Sequence, residues 1–309
     1  MRISRVGGII ASASQRVAQP LLQVGTIPII RRIVISYQRA GIFPIVVVTG
    51  AAEAEVRHEL SGLGVIFLPN ENAEQPELME SVRIGLRYLQ GKCNRIVFTP
   101  VNVPMCTPDT LSKLIHSEQE IVIPSYHGKG GHPVMLAESV IPEILDYHGD
   151  DGLRGAMQSC RAERIWLEVE DRGILTNVNN GEELEEQCRI HNTSILHPTI
   201  SVKLEREMPF FTSRLKLLLY LIADTENMRV SCAYSGIPHS KAWEMINTLE
   251  ENVGYQVVER FRGGRTGGST KLTERGKALL LAYQSFEEKI QEVAREEFQN
   301  RFISTKILS

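Results

Sequence analysis

Ile29-Ile-Arg-Arg-Ile-Val-Ile-Ser-Tyr-Gln-Arg-Ala-Gly-Ile-Phe-Pro-Ile-Val-Val-Val-Thr-Gly50 is the run that decides the fold. Its first part lies in an amphipathic stretch, Pro28–Ala40, which reads as a helix. Ile45-Val-Val-Val-Thr49 is a β-branched run and reads as a buried strand. The alternation continues outward. Val65–Leu68, Arg95–Thr99 and Ile121–Pro124 read as further strands, and Ala51–Leu60, Met79–Leu89 and Thr110–Ser117 as helices. Strands alternating with helices predict a three-layer α/β domain on a mainly parallel, Rossmann-like sheet. Ligands in such domains sit at the carboxyl ends of the strands.

Beyond this domain the pattern changes. Residues 186–209 form a polar connector without clear periodicity. From Phe210 the spacing becomes helical, with Phe210, Phe211, Leu215, Leu218 and Ile222 on one face. The expected organisation is a first domain over 1–190, a linker over 191–209 and a mainly helical domain over 210–309.

Composition sets the frame. The chain has 309 residues, room for about two domains at ~150 residues each. Its 42% hydrophobic and 23% charged content fits an ordinary globular protein. The net charge of −3 gives no global nucleic-acid signal. Residues 198–309 nevertheless carry +2 and the remainder −5, and the basic residues cluster within Arg260–Lys277. A local basic patch is what phosphate contact requires. The five cysteines form no CxxC pair and no metal-ligand spacing, so they read as reduced thiols of a cytoplasmic protein. No apolar run approaches the ~20 residues of a membrane span, and the apolar part of the Met1–Ala13 segment is too short and glycine-broken for a signal peptide.

The C-terminal third carries the clearest motif. Ser235-Gly-Ile-Pro-His-Ser-Lys-Ala-Trp-Glu-Met-Ile246 reads as the turn and recognition helix of a helix-turn-helix. Arg260-Phe-Arg-Gly-Gly-Arg-Thr-Gly-Gly-Ser-Thr-Lys-Leu-Thr273 reads as a glycine-rich wing bearing arginines. Ala242, Trp243, Ile246 and Leu249 pack down. Ser240, Lys241, Glu244 and Asn247 are left for base edges and phosphates of double-stranded DNA. Arg262, Arg265 and Lys271 are the candidate backbone contacts. The bland alternative is a solvated basic loop on a protein-interaction module. The last helix sets Leu279, Tyr283, Phe286, Ile290 and Val293 at spacings of four and three, a two-heptad seam. Such a seam serves either intramolecular core or a homodimer.

The segment from Leu196 to Phe298 resembles the winged-helix domain of the molybdate-responsive ModE-type regulators. The matching residues are Gly236-Ile237, Ser240-Lys241-Ala242-Trp243, Glu259-Arg260, Arg262-Gly263-Gly264, Gly267-Gly268 and Leu272-Thr273-Glu274-Arg275-Gly276. Pro238-His239 departs from the Ser-Tyr usual there. The resemblance implies DNA as partner and molybdate among the possible effectors.

The first ~185 residues resemble the MobA/MocA-like nucleotidyltransferases of molybdenum cofactor biosynthesis. That resemblance rests on Leu21-Leu22, Gly25, Pro28, Gly41–Gly50, Ser81, Gly85-Leu86, Pro104, Thr107-Pro108, Gly131-His132-Pro133-Val134, Gly149-Asp150 and Gly152. It implies transfer of a nucleotide from GTP or CTP to molybdopterin with Mg²⁺, and Ser12, Ser14, Arg16, Ser81 and His132 as nucleotide-binding positions.

The catalytic positions depart from it. Where the family has Gly-x-Ser-x-Arg-Met-Gly and then a Lys, this chain has Ser12-Ala13-Ser14-Gln15-Arg16-Val17-Ala18 and no such Lys. A Cβ obstructs backbone wrapping of a triphosphate. Where the family has metal-binding aspartates, this chain has Asn102, and Asn177 and Asn179 near the domain end. Mg²⁺ is bound through carboxylates and substrate phosphates. Removing one such electrostatic group commonly costs on the order of 10²–10³ in rate. Asp109, Asp150 and Asp151 are candidate substitutes, with helix capping and solvation as their default roles. Two readings follow. One is a DNA-binding regulator whose first domain is an inactive sensor of a nucleotide, a pterin or molybdate. The other is an active transferase, with Mg²⁺ at an alternative site involving Asp150 or Glu182, fused to a regulatory domain.

Overall fold

The computed structural model describes residues 6–13, 20–71, 78–178, 184–261 and 269–305. The chain forms two compact units, Met1–Leu196 and His197–Ser309.

Unit 1 runs β1 (Val6–Ala11), β2 (Gln23–Val24), β3 (Ile27–Pro28), α1 (Ile29–Arg39), β4 (Ile45–Thr49), α2 (Glu53–Glu59), β5 (Ile66–Pro69), α3 (Leu78–Leu89), β6 (Arg95–Pro100), α4 (Pro108–His116) and β7 (Ile121–Tyr126). It continues with β8 (Lys129–Gly130), β9 (Val134–Ala137), α5 (Ile141–Leu145), α6 (Gly152–Ser159), β10 (Arg164–Glu168) and α7 (Leu184–Ser194). The main sheet has the order β10-β7-β9-β6-β1-β4-β5, with β8 on β7. Pairs β6–β1, β1–β4, β4–β5 and β10–β7 are parallel. β9 runs antiparallel to both neighbours. This is the mainly parallel α/β sheet expected. The order reverses at β1, which places a crevice where β1 and β6 end.

The hydrophobic pattern explains the layers. All five residues of β4 are buried, because helices cover both faces of a parallel sheet. On α1, Ile29, Ile30, Ile33, Val34 and Tyr37 are buried; each fully buried aliphatic contributes about 1.5–3 kcal/mol.

Helix α7 occupies part of the stretch expected as a polar connector. A buried cation docks it. Arg32 of α1 is fully buried. Its Nε donates to the Val24 carbonyl (2.9 Å) and its guanidinium to Asn192 Oδ1 (2.7 Å) and Cys188 Sγ (3.2 Å). It also lies 3.3 Å from His191 Nδ1, while His191 Nε2 meets Ser36 Oγ at 3.0 Å. Desolvation, with Arg32 adding to it, pushes His191 down to about 4, so the ring is neutral. The α1 and α7 partners lie 155 to 160 residues apart in sequence, beyond the reach of periodicity. Unit 1 therefore extends to Leu196, past the expected boundary at 190.

Unit 2 contains β11 (Leu204–Glu205), β12 (Pro209–Phe211), α8 (Ser213–Thr225), α9 (Met228–Ser235), α10 (His239–Val253), β13 (Val258–Phe261), β14 (Ser269–Leu272) and α11 (Glu274–Phe298). Phe210 and Phe211 are in a strand, not a helix. α8 starts after Thr212, whose side chain accepts from Leu215 N–H. The hairpin β11–β12 falls partly inside the expected linker. The α11 seam divides. Tyr283 is buried, stacked on Phe211 with centroids 4.2 Å apart, and its hydroxyl donates to the Val202 carbonyl (2.6 Å). Phe286 and Val293 are exposed. No helix among the described residues is long and apolar enough to cross a membrane.

Candidate ligand cleft and candidate nucleic-acid interface

At the carboxyl ends of β1 and β6 the described residues are Ser12-Ala13, the loop after β6, the loop into β9 and the 3-10 turn Arg172–Leu175. Val101 N–H donates to the Ala11 carbonyl (3.0 Å), tying the first two together. Val178 N–H donates to the Asn102 carbonyl (3.0 Å), and His132 N–H to that of Ile174 (2.9 Å). Gly131 is required here, since a Cβ on it would lie 2.4 Å from the Ile174 oxygen. Asn102, Asn177 and His132 thus converge on one rim.

Two of the three carry an unusual feature. Asn102 Oδ1 and His132 Nδ1 are both buried without a hydrogen-bond partner among the described residues. The His132 ring stands edge-on to Phe98 at 5.9 Å. Desolvation pushes this histidine down to about 4, so it is neutral at pH 7. A buried orphan acceptor costs about 1–3 kcal/mol unless something donates to it.

The other expected contacts stand differently. Ser12 Oγ donates to the Val48 carbonyl (2.8 Å), which commits it to the sheet. Ser81 is fully buried on α3, with its Oγ 3.5 Å from Asn70 Nδ2; it is an interior packing residue. Ser14, Arg16, Asn179 and Glu182 lie outside the described residues.

The described residues do not fit Mg²⁺. Among the described residues no group of three His, Cys, Asp or Glu side chains could hold a metal ion. Asp109, Asp150 and Asp151 are exposed. The capping role expected of Asp109 belongs to Thr107, whose side chain accepts from Thr110 N–H. Sequence reading missed Asp171. It is buried, and Oδ2 accepts from Thr107 N–H (2.8 Å) and Oγ1 (2.9 Å), while Oδ1 accepts from Gly173 N–H (2.9 Å). Its lone pairs are spent clamping the 3-10 turn to the start of α4. The Asp-x-Gly spacing of an Asx turn was the available signal. The neutral acceptor of Asn102 suits a hydrogen-bond donor rather than a hard dication.

The candidate interface of unit 2 is exposed. Asn227 Oδ1 caps α9, accepting from Arg229 N–H (2.9 Å) and Val230 N–H (3.2 Å). Gly236, at φ +67°, makes the turn into α10 in the left-handed region that glycine occupies readily. α10 buries Ala242, Ile246 and Leu249 and exposes Ser240, Lys241 and Asn247. Glu250 Oε1 accepts from Val257 N–H (2.6 Å) and Val258 N–H (3.0 Å), fixing the β13–β14 hairpin to this helix. Lys241 pairs with Glu244 and Lys271 with Glu226, each at 2.6 Å. Arg262 and Arg265 lie outside the described residues.

Arg260 was not among the expected contacts. Its guanidinium lies 3.9 Å from the Trp243 ring centroid and donates to Asn247 Oδ1 (3.1 Å), while Trp243 Nε1 donates to His239 Nε2 (3.3 Å). The hairpin thereby supplies a cation to the exposed face of α10. The signal was present in Glu259-Arg260, but only the tertiary fold sets that arginine over Trp243.

The C-terminal region is similar to curated proteins over short spans. It is 30% identical over 84 residues to the DNA-binding transcriptional dual regulator ModE of Escherichia coli K12, covering 27% of this chain and 32% of that protein. It is 38% identical over 48 residues to the molybdenum-pterin-binding protein MopA of Rhodobacter capsulatus, covering 16% and 18%. The chain thus spans about a third or less of the length of these relatives. Among solved structures, Rv0371c of Mycobacterium tuberculosis H37Rv superposes with a TM-score of 0.51 at 23% identity, covering 59% of this chain and 98% of that one. The 4-diphosphocytidyl-2C-methyl-D-erythritol synthase of Anaerococcus prevotii gives 0.50 at 12% identity, covering 61% and 96%. Both likenesses concern the fold. Residues 9–165, about half of the chain, match the MobA-like NTP transferase domain, and the chain belongs to that family.

Proposed function

We propose that this protein is a DNA-binding transcriptional regulator of molybdenum-related genes, in which the nucleotidyltransferase fold serves as a sensor without catalysis. Unit 2 is read as a winged helix-turn-helix, with α10 as recognition helix and β13–β14 as wing. The single observation that carries the reading is the contrast of sites. The rim at Asn102 and Asn177 lacks the carboxylates its family uses, whereas α10 presents Ser240, Lys241, Asn247 and the stacked Arg260 to solvent. The similarity to ModE supports DNA as partner. The effector is a nucleotide, a pterin or molybdate, and the orphan atoms of Asn102 and His132 favour a ligand that donates to one and meets the other. The exposed Phe286 and Val293 support homodimerisation through α11. The cytoplasm is the proposed compartment.

DNA binding across a salt series tests this reading. Duplex affinity should fall steeply with salt, and Arg265→Ala should weaken binding to all sequences and lower the salt slope by about one. A flat salt response would favour a protein-interaction module instead.

The second reading keeps catalysis. Family membership favours it, because the sheet that carries the family's chemistry is intact. It requires Mg²⁺ at an alternative site involving Asp150, which is exposed, or Glu182, which lies outside the described residues.

A further inference from the structure

The two edges of the unit 1 sheet differ. On β5 the first three residues are buried, and the Arg57 guanidinium covers the Phe67 ring at 4.7 Å. On the other edge, β10 pairs only with β7 among the described residues, and its residues alternate between exposed and half-buried. Trp166, at its centre, is 55% exposed. Its ring is held in place over β8: a Cβ on Gly130 would lie 2.9 Å from it.

The backbone determines what this edge offers. Ile121 N–H donates to the Glu163 carbonyl (3.3 Å), and Val169 N–H to that of Ser125 (2.8 Å). Both backbone groups of a strand residue point to one side, alternating along the strand. Odd-numbered residues therefore turn their backbone groups to β7. Those of Arg164, Trp166 and Glu168 face the open edge, and the same three side chains share the exposed face of the sheet.

We propose that β10 pairs with β10 of a second copy of this chain, antiparallel about a two-fold axis at Trp166. In that register Trp166 faces Trp166 of the partner subunit, and Arg164 faces Glu168 of the partner subunit on both sides of the axis. Each facing pair exchanges both backbone hydrogen bonds, because all three residues point outward. Moving the axis by one residue sets Trp166 against Arg164 or Glu168 and leaves no unlike charge pair within the strand. Moving it by two sets like charges opposite each other, which is destabilising. Only the Trp166-centred register sets unlike charges opposite each other on both sides of the axis.

Both charged side chains are held near the strand. Arg164 donates to the Met157 carbonyl (3.2 Å). The Ser125 hydroxyl, with His127 N–H at 2.6 Å and Gly128 N–H, holds the Glu168 carboxyl below its usual range, so it is charged at neutral pH. Arg164 and Glu168 also act as guards against promiscuous edge pairing, since a partner strand lacking this charge order meets a mismatch. A five-residue strand pair is small beside the ~1,200 Å² of a stable interface, so the contact forms at high protein concentration.

Cysteine cross-linking of the full chain tests the register. Hydrogen-bonded antiparallel partners have Cα atoms about 5.5 Å apart, within disulfide reach. Trp166→Cys should form an intermolecular disulfide on mild oxidation, well above the wild-type background from native cysteines. Arg164→Cys alone should not, but mixed with differently tagged Glu168→Cys chains it should give the hetero-disulfide. The Trp166→Cys cross-link should persist in a Phe286→Glu background, which separates this contact from α11. In the wild-type chain, amide exchange of residues 164–168 should slow as concentration rises. Trp166→Cys chains that melt like wild type yet cross-link no more than it, self-linking Arg164→Cys chains, or concentration-independent exchange would each overturn the proposal.

Discussion

The two units handle polar side chains in opposite ways. In unit 1 many are turned inward and bound by the fold, Asn102 and His132 apart: Arg32 docks α7, Asp171 clamps a turn, and Ser12 is spent on β4. In unit 2 the interior is nearly all hydrocarbon, apart from ties such as the Lys216–Glu287 pair between α8 and α11, and the cations lie outside on α10 and the hairpin. A catalytic site must keep charge aimed at reacting atoms and free of internal partners. The described part of the unit 1 crevice does not do this; the α10 face of unit 2 keeps its cations in solvent, where exposed partners such as Glu244 and Glu226 can be exchanged for phosphate. The difference teaches that a shared fold does not by itself fix the chemistry of its site.

Acid should break the comparison first. His132 and His191 both titrate near 4 when folded, against 6.5 when unfolded, chiefly through desolvation. The unfolded chain therefore binds protons first as pH drops. Stability is full above about 6.5 and is lost as pH falls from there to 4, by about 3 kcal/mol for each histidine. Thermal melts across this range should show unit 1 weakening steeply. A pH-independent melting temperature would refute the neutral, buried assignment.

Next comes Arg32→Ala. It leaves the Val24 carbonyl and Asn192 Oδ1 without their donor, and should cost unit 1 about 2–3 kcal/mol in denaturant unfolding. DNA affinity below the denaturant range of unfolding should be unchanged, which sharpens the division of labour.

Arg260→Ala strikes the other unit. Losing the cation over Trp243 should weaken DNA binding by about 1–3 kcal/mol in a fluorescence titration, with the melt nearly unchanged. The smallest effect is expected for Lys271→Ala. Its exposed pair with Glu226 contributes little to stability, so the change should appear only as a salt slope lower by about one.

How much was legible follows from where each signal resides. The buried strands announced themselves, because a parallel sheet covered on both faces needs uninterrupted apolar runs such as Ile45–Thr49. The turn at Gly236 and the two faces of α10 were readable from local spacing, except that Trp243, expected to pack down, is only half-buried, beneath Arg260. Phe210-Phe211 misled, since a short apolar pair suits a strand or a helix equally, and only the Thr212 cap separates them. Asn102 was visible as a missing carboxylate, but the orphaned state of its oxygen was not. The roles of Arg32, Asp171 and Arg260 were hidden because their partners are set by tertiary contacts. A polar helix such as α7 looks like a linker until the buried guanidinium beneath it is found.

The most direct measurement is nucleotide transfer by the full chain, in a preparation first shown to bind duplex DNA. It would be incubated with molybdopterin, Mg²⁺ and labelled GTP or CTP. The account predicts no labelled product above a metal-free control, because the described rim presents Asn102 and Asn177 where its family sets carboxylates. Sustained, metal-dependent turnover would contradict it and restore the crevice of unit 1 to an active transferase.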